Sequence, residues 1–390
     1  MPNTPASEDL IDSRYAAWRL LITLCLVTLG SSCMYVVAVV LPPVQAEFGV
    51  DRANASLPYT LMMICLGVGG MWTGKLADRF GITPVLWVGS VAVTAGFVIA
   101  GLAPNIWVFG LAHGILLGLL GSSSTFAPLM ADTSLWWNKR RGIAVAICAC
   151  GNYVAGAFWP PIAQWGIETI GWRHTYVGMG IFCGVCMLLL SFLMRQRPPL
   201  VTLDDASVSQ SGFISSQPFG LKLGQAQLLL CVAAIACCVA MSMPQVHIVA
   251  YCADLGYGAA RGAEMLSLML ACGIISRLVS GWICDRIGGI RTLLLGSALQ
   301  GGIVPAYAII VREHFPPQEA GARVGSVIMA SLVGMALGGW ISGKIFDLTG
   351  SYHAAFMNGI AWNLLNLTIS GWLFWRIRSK LGNQFMVANT

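Results

Sequence analysis

The chain has 390 residues, of which 57% are hydrophobic and only 10% charged, against roughly 25% charged in soluble domains. Its formal net charge of +6 is spread over membrane-edge positions without a basic stripe, which argues against a nucleic-acid partner. These two features set aside an ordinary soluble domain and point to a chain folded in lipid.

Mostly apolar runs, each long enough to cross roughly 30 Å of hydrocarbon, recur from one end to the other. They predict eleven spans, near residues 18–42, 57–76, 84–102, 106–131, 143–165, 174–194, 224–250, 263–283, 292–311, 324–346 and 355–375. The first is read as a retained span, because no small-residue cleavage site follows a short apolar core. The second run closes on Gly74-Lys75-Leu76-Ala77-Asp78-Arg79-Phe80-Gly81. The eighth closes on Gly281-Trp282-Ile283-Cys284-Asp285-Arg286-Ile287-Gly288, 207 residues later. Two copies in matching positions imply two homologous helical halves. Residues 195–222, opened by Arg195-Gln196-Arg197-Pro198-Pro199, form the one long polar stretch. They are read as a cytoplasmic linker between an N-terminal six-helix bundle (1–194) and a C-terminal bundle (223–390).

Lys and Arg set the expected orientation. The N-terminal tail and the even-numbered loops carry Arg14, Arg19, Lys75, Arg79, Lys139, Arg140, Arg141, Arg195, Arg197, Lys222, Arg286 and Arg291. The odd-numbered loops up to the eighth span carry only Arg52, Arg173 and Arg261. Twelve against three places the N-terminus and the even loops in the cytoplasm of an inner (plasma) membrane protein.

The second half is short. Arg79 to Arg141 spans 62 residues and Arg286 to Arg323 only 37, a deficit of 25. That is about one crossing plus a turn. The 292–311 segment is therefore expected to fit poorly as one straight span. A break is expected around Gly301, Gly302 and Pro305, with the tail bearing Arg376, Arg378 and Lys380 on the cytoplasmic side.

Thirteen cysteines invite a disulfide or metal reading. Most lie within apolar runs, such as Cys148, Cys150, Cys231, Cys237 and Cys238, and are expected to behave as small hydrophobes. Cys183 and Cys186 have redox spacing but no βαβ context. No phosphate-loop, hydrolytic or metal motif is found, so the chain is expected to be neither an enzyme nor cofactor-dependent.

Arg277 is the sharpest single residue. It sits in mid-span, eight residues or about 12 Å of helix from Asp285. A cation at that depth costs at least about 2.5 kcal/mol on insertion scales, so it should face a cavity or a partner. A guanidinium there suits bidentate capture of a carboxylate, although structural pairing with a neighbouring helix is the plainer reading.

The twice-repeated Gly-x-x-x-Asp-Arg-x-Gly pattern resembles the loop after the second helix in each half of major facilitator superfamily transporters. Arg277-x-x-x-Gly281-x-x-x-Asp285 resembles the eighth helix of the monocarboxylate and oxalate/formate porter branch. Trp136 to Ala144, Gly171-Trp172-Arg173, and the group Pro42, Pro43, Glu47-Phe48-Gly49, Arg52 and Ser56 resemble other loops of that branch. Gln300 to Tyr307 resembles the second part of the tenth helix of these transporters, and Arg291 to Leu299 the start of the ninth. The resemblance implies an all-α polytopic fold of two pseudo-symmetric bundles and secondary transport of a small organic anion, with Arg277 on the substrate carboxylate. Two departures bear on proton coupling. Gly273 stands where proton-coupled members carry an aspartate one turn before the arginine. Ser31, Ser32 and Tyr35 replace the acidic-glycine-aromatic motif of animal members.

Around Arg277 the candidate substrate contacts are Tyr35, Asn152 and Gln245 as hydrogen-bonding groups, with His113 and His247 as titrating ones. Each has a packing alternative between neighbouring helices. Asp78-Arg79 and Asp285-Arg286, with Arg140 and Arg141, are the candidate gates, or static anchors at the membrane edge. The expected partners are a small organic anion, a proton if the flux is coupled, and the bilayer, for a chain acting as a monomer. Efflux of amphipathic drugs, and a truncated protein that transports nothing, are the competing readings.

Overall fold

The computed structural model describes residues 10–137, 141–196, 219, 221–299, 306–307, 310–311, 314–315 and 320–387, and the described residues are helical almost throughout. The first half comprises α1 (Arg14–Phe48), α2 (Arg52–Phe80), α3 (Ile82–Gly101), α4 (Ile106–Trp136), α5 (Arg141–Ile170) and α6 (Trp172–Phe192). The second comprises α7 (Leu223–Asp254), α8 (Ala259–Ile287), α9 (Gly289–Leu299), α10 (Ala320–Thr349) and α11 (Tyr352–Val387). Among the described residues, nine of these helices are long and apolar enough, by length and composition, to cross a membrane. These nine correspond to the first eight expected spans and the tenth. Helix α9 is too short, and α11 carries Asn358, Asn363 and Asn366 within its length.

Local signals start and stop these helices. Ser13 and Asp51 cap α1 and α2 by accepting the amides of Ala16 and Asn54. The glycines that end the two repeats, Gly81 and Gly288, have φ of +87° and +82°. A side chain is strained in that left-handed region, so glycine allows α2 to turn at once into α3, and α8 into α9. Both copies use the same solution, as expected of a duplicated unit.

Helix α1 kinks at Ser31, and α4 is π-helical over Ala112–Ser122 before it bends at Phe126. The two irregularities face each other. The Ser122 hydroxyl donates to the Gly30 carbonyl at 2.6 Å and lies 3.0 Å from the Cys33 thiol. Carbonyls freed by the kink thus find side-chain donors inside the bundle, as backbone in lipid must.

The turns define two ends. One, here the odd-loop end, carries residues 49–51, 102–105, 171 and 255–258; the other, the even-loop end, carries the starts of α3, α7 and α9. At the even-loop end Gln227 of α7 donates to the Arg323 carbonyl of α10 at 3.0 Å, and the partly buried Leu223, Val324 and Ile377 pack against the cluster that holds buried Ile290. Helices α9 and α10 therefore both start from that end. Helix α11 returns the chain to the side of the N-terminus. The expected break at 301–305 lies outside the described residues.

Also at the even-loop end, Arg19 of α1 makes a bidentate pair with Asp132 of α4 at 3.0 Å and stacks on Trp136 at 4.5 Å. Both side chains are more than 90% buried. The pair fixes α1 against α4 within the first half. The twelve described cysteines are free thiols.

Candidate functional site

Arg277 lies where α8 of the second half crosses α5 of the first. Its Nη1 donates to the Ala149 carbonyl at 3.3 Å, and its guanidinium carbon sits 4.1 Å from the centroid of the Tyr153 ring. Ala149 and Tyr153 are four residues apart on one face of α5. The arginine is thus held flat by a ring and one carbonyl. Its Nε is buried and has no hydrogen-bond partner among the described residues. A donor of a permanently charged group left unpaired in a dry site is costly, and the cost disappears when an anion binds.

Tyr35 and Asn152 are part of the same group. The Tyr35 hydroxyl donates to Asn152 Oδ1 at 2.5 Å, joining α1 to α5, and Tyr35 lies within charge-interaction range of both Tyr153 and Arg277. Asn152 Nδ2 points to the Met34 sulfur at 3.7 Å, a weak acceptor that a better one can displace. Three helices, α1, α5 and α8, meet around the arginine and the tyrosine beneath it.

Small residues make this approach possible. A Cβ at Gly273 would lie 2.5 Å from Tyr153 Cε1, and one at Gly156 would lie 2.9 Å from Tyr35 Cε1. The glycine one turn before Arg277 is therefore the space that the Tyr153 ring fills.

Gln245 is buried on α7, two helical turns from Cys238 on the same face, and its Oε1 has no partner. Tyr59 of α2 is also buried with an unpartnered hydroxyl, near Tyr35 and Cys238. The other candidates sit elsewhere. His113 is fully buried inside the first half, where Nδ1 donates to the Phe109 carbonyl at 2.8 Å and Nε2 lies 3.3 Å from the Tyr176 hydroxyl. His247 lies toward the odd-loop end. Its Nε2 donates to the Gly339 carbonyl at 2.8 Å, which leaves Nδ1 to accept from the Tyr352 hydroxyl at 3.2 Å.

Arg79 and Arg286 occupy the last turns of α2 and α8, each over an aromatic ring of its own helix, Phe80 at 5.1 Å and Trp282 at 4.1 Å. The side chains of Asp78, Asp285 and Arg141, and all of Arg140, lie outside the described residues.

Sequence reasoning passed over Tyr153 and Tyr59. Tyr153 had a legible signal, since it follows Asn152 and sits one turn after Ala149. Tyr59 had none, because one tyrosine on an apolar helix does not reveal which neighbour it meets.

The Major Facilitator Superfamily model matches residues 20–303. The chain is 24% identical over 345 residues to the uncharacterized MFS-type transporter YcxA of Bacillus subtilis (strain 168), covering 80% of this chain and 83% of that one. It is 26% identical over 344 residues to monocarboxylate transporter 13 of Bos taurus, covering 80% and 78%. It is 23% identical over 381 residues to monocarboxylate transporter 4 of Mus musculus, covering 85% and 78%. Among solved structures, a bacterial homolog to the human lysosomal transporter Spinster, in an inward-facing and unoccupied conformation, superposes with a TM-score of 0.72. It covers 95% of this chain and 98% of that one at 15% identity, a likeness of fold.

Proposed function

The chain belongs to the Major Facilitator Superfamily, and from that premise we propose that it moves a small organic anion, a monocarboxylate, across the inner (plasma) membrane. The motion is alternating access between the halves 1–194 and 223–390 about a cytoplasmic linker, 195–222. One observation carries the reading. Arg277, at the contact of the two halves, keeps a buried Nε–H without a partner while Tyr153 holds its plane fixed. A planar fork with an open donor is the geometry that a carboxylate satisfies, and the low local dielectric strengthens the bond. Tyr35 and Asn152 supply neutral hydrogen bonds beside it, and Gln245 lies further along the same path.

His113 and His247 enter this reading as packing groups, since each already has two partners. The N-terminus, the even loops and the end of α11 face the cytoplasm, in line with the Lys/Arg bias. The Asp78-Arg79 and Asp285-Arg286 turns lie at that edge, where a carboxylate can hold and release a neighbouring helix terminus. Names among the relatives support the anion class.

The test is uptake of labelled monocarboxylates into proteoliposomes holding the purified full chain. Saturable uptake that other short acids compete away is expected. Flux of amphipathic dyes with no acid uptake would favour drug efflux, and no flux of either would favour a non-transporting protein.

A further inference from the structure

We propose that Asp347 of α10 and Arg52 of α2 form a latch that closes the odd-loop end, and that its strength sets how often that end opens. The role rests on the alternating-access reading above; the contacts themselves do not.

Helix α2 begins at Arg52, and the Asp51 side chain accepts the amide of Asn54 while its carbonyl accepts that of Ala55. The amides of Arg52 and Ala53 are first-turn donors with no acceptor in their own helix. The Asp347 carboxylate takes both, Oδ1 from Arg52 and Oδ2 from Ala53, each at 2.8 Å. Asp347 sits in the last turn of α10, where a helix C-terminus disfavours an anion. Docked on the N-terminus of α2, the same charge lies at the favourable end of another helix dipole.

The Arg52 side chain reaches the other way. Its guanidinium stacks 4.7 Å from the Phe346 ring, donates to the Tyr352 hydroxyl at 3.1 Å and pairs with Asp254 at 3.3 Å. Tyr352 in turn donates to His247, and His247 to Gly339. Helix α10 comes close enough for this because Gly343 meets the start of α2 backbone to backbone. A Cβ at Gly343 would lie 3.0 Å from Ala53 N and Cα.

Each of these contacts, from the Arg52 side chain and from the Arg52 and Ala53 amides, joins the first half to the second, so all must break if the halves part here. A nearby ion pair provides an internal control. Glu47 of α1 binds Arg173 of α6 at 2.6 Å and the Trp172 indole N–H at 2.6 Å, wholly within the first half. It has similar chemistry and sits at the same end, but no rigid-body parting strains it.

The experiment places donor and acceptor dyes, through unnatural amino acids, at exposed Pro104 and Tyr257 at the odd-loop end of the full chain in proteoliposomes. Single-molecule energy transfer then gives the fraction of open molecules. Asp347→Asn should raise the open-to-closed ratio about tenfold, a modest expectation for two charge-assisted bonds partly open to water. Asp254→Asn should raise it less, and serves if the first variant fails to fold. Glu47→Gln should leave it unchanged. Unchanged ratios for both latch variants, or an equal rise for Glu47→Gln, would overturn the latch. If substrate acids shift the wild-type distance while the latch variants do not, the latch alone falls. If the wild type neither moves nor transports while Asp347→Asn still opens, the contacts act as a latch and the transport reading falls.

Discussion

Gly273 and Tyr153 are complementary. The missing side chain of one, a turn before Arg277 on α8, is the space in which the ring of the other lies beneath the guanidinium. An acid at position 273 and the stacked tyrosine are alternative ways to neighbour the same arginine. This chain has the second, a neutral and polarisable face in place of a counter-charge.

Gly273→Asp should therefore displace the Tyr153 ring, since any Cβ at 273 would lie 2.5 Å from it. Uptake should fall about tenfold, and the overpacked contact should cost roughly 1–3 kcal/mol of stability. Tyr153→Ala in the same chain should return the stability but not the uptake. Thermal unfolding in detergent, read beside uptake, checks both halves of the expectation.

Arg277→Lys should reduce transport by about tenfold or more while expression holds. Lysine keeps the charge but loses the planar fork and the stacking on Tyr153. Normal uptake by the lysine variant would remove Arg277 from the substrate site.

Tyr35→Phe removes the donor to Asn152 and leaves the ring in place. The expected result is a rise in KM of about fivefold with little change in maximal rate, as for loss of one neutral hydrogen bond. A fall in maximal rate at constant KM would assign Tyr35 to the moving contact between helices.

Asp78→Asn should slow turnover more than it weakens binding, because position 78 lies at a helix end and not beside Arg277. A pure loss of affinity at normal maximal rate would count against gating.

Asp132→Ala strands Arg19 in a buried site, because both partners of that 3.0 Å pair are more than 90% buried. A loss of about 3 kcal/mol or more is expected, since one partner of a buried pair is removed. Thermal unfolding of the purified variant measures it, and a loss under 1 kcal/mol would mean that water or lipid headgroups reach Arg19.

Much of this protein was legible in one dimension. Apolar run lengths report membrane crossings because the bilayer has a fixed thickness, and the duplicated Gly-x-x-x-Asp-Arg-x-Gly turn reports two halves because each must reverse a helix at the same place. Gly81 and Gly288 carry that turn through positive φ, a local demand that sequence shows directly. Arg277 stood out because a charge in mid-span is expensive wherever it points. Which groups share a site was settled only in three dimensions. Tyr35, Asn152 and Tyr153 meet near Arg277 while His113 and His247 do not, although all lie on apolar helices with similar local patterns. That distinction depends on the rotation of each helix about its axis, which packing against other helices decides. The seating of Asp347 on the first turn of α2 comes from contacts across 294 and 295 residues of sequence. No periodicity reaches that far, because periodicity records only what a helix does to its own faces.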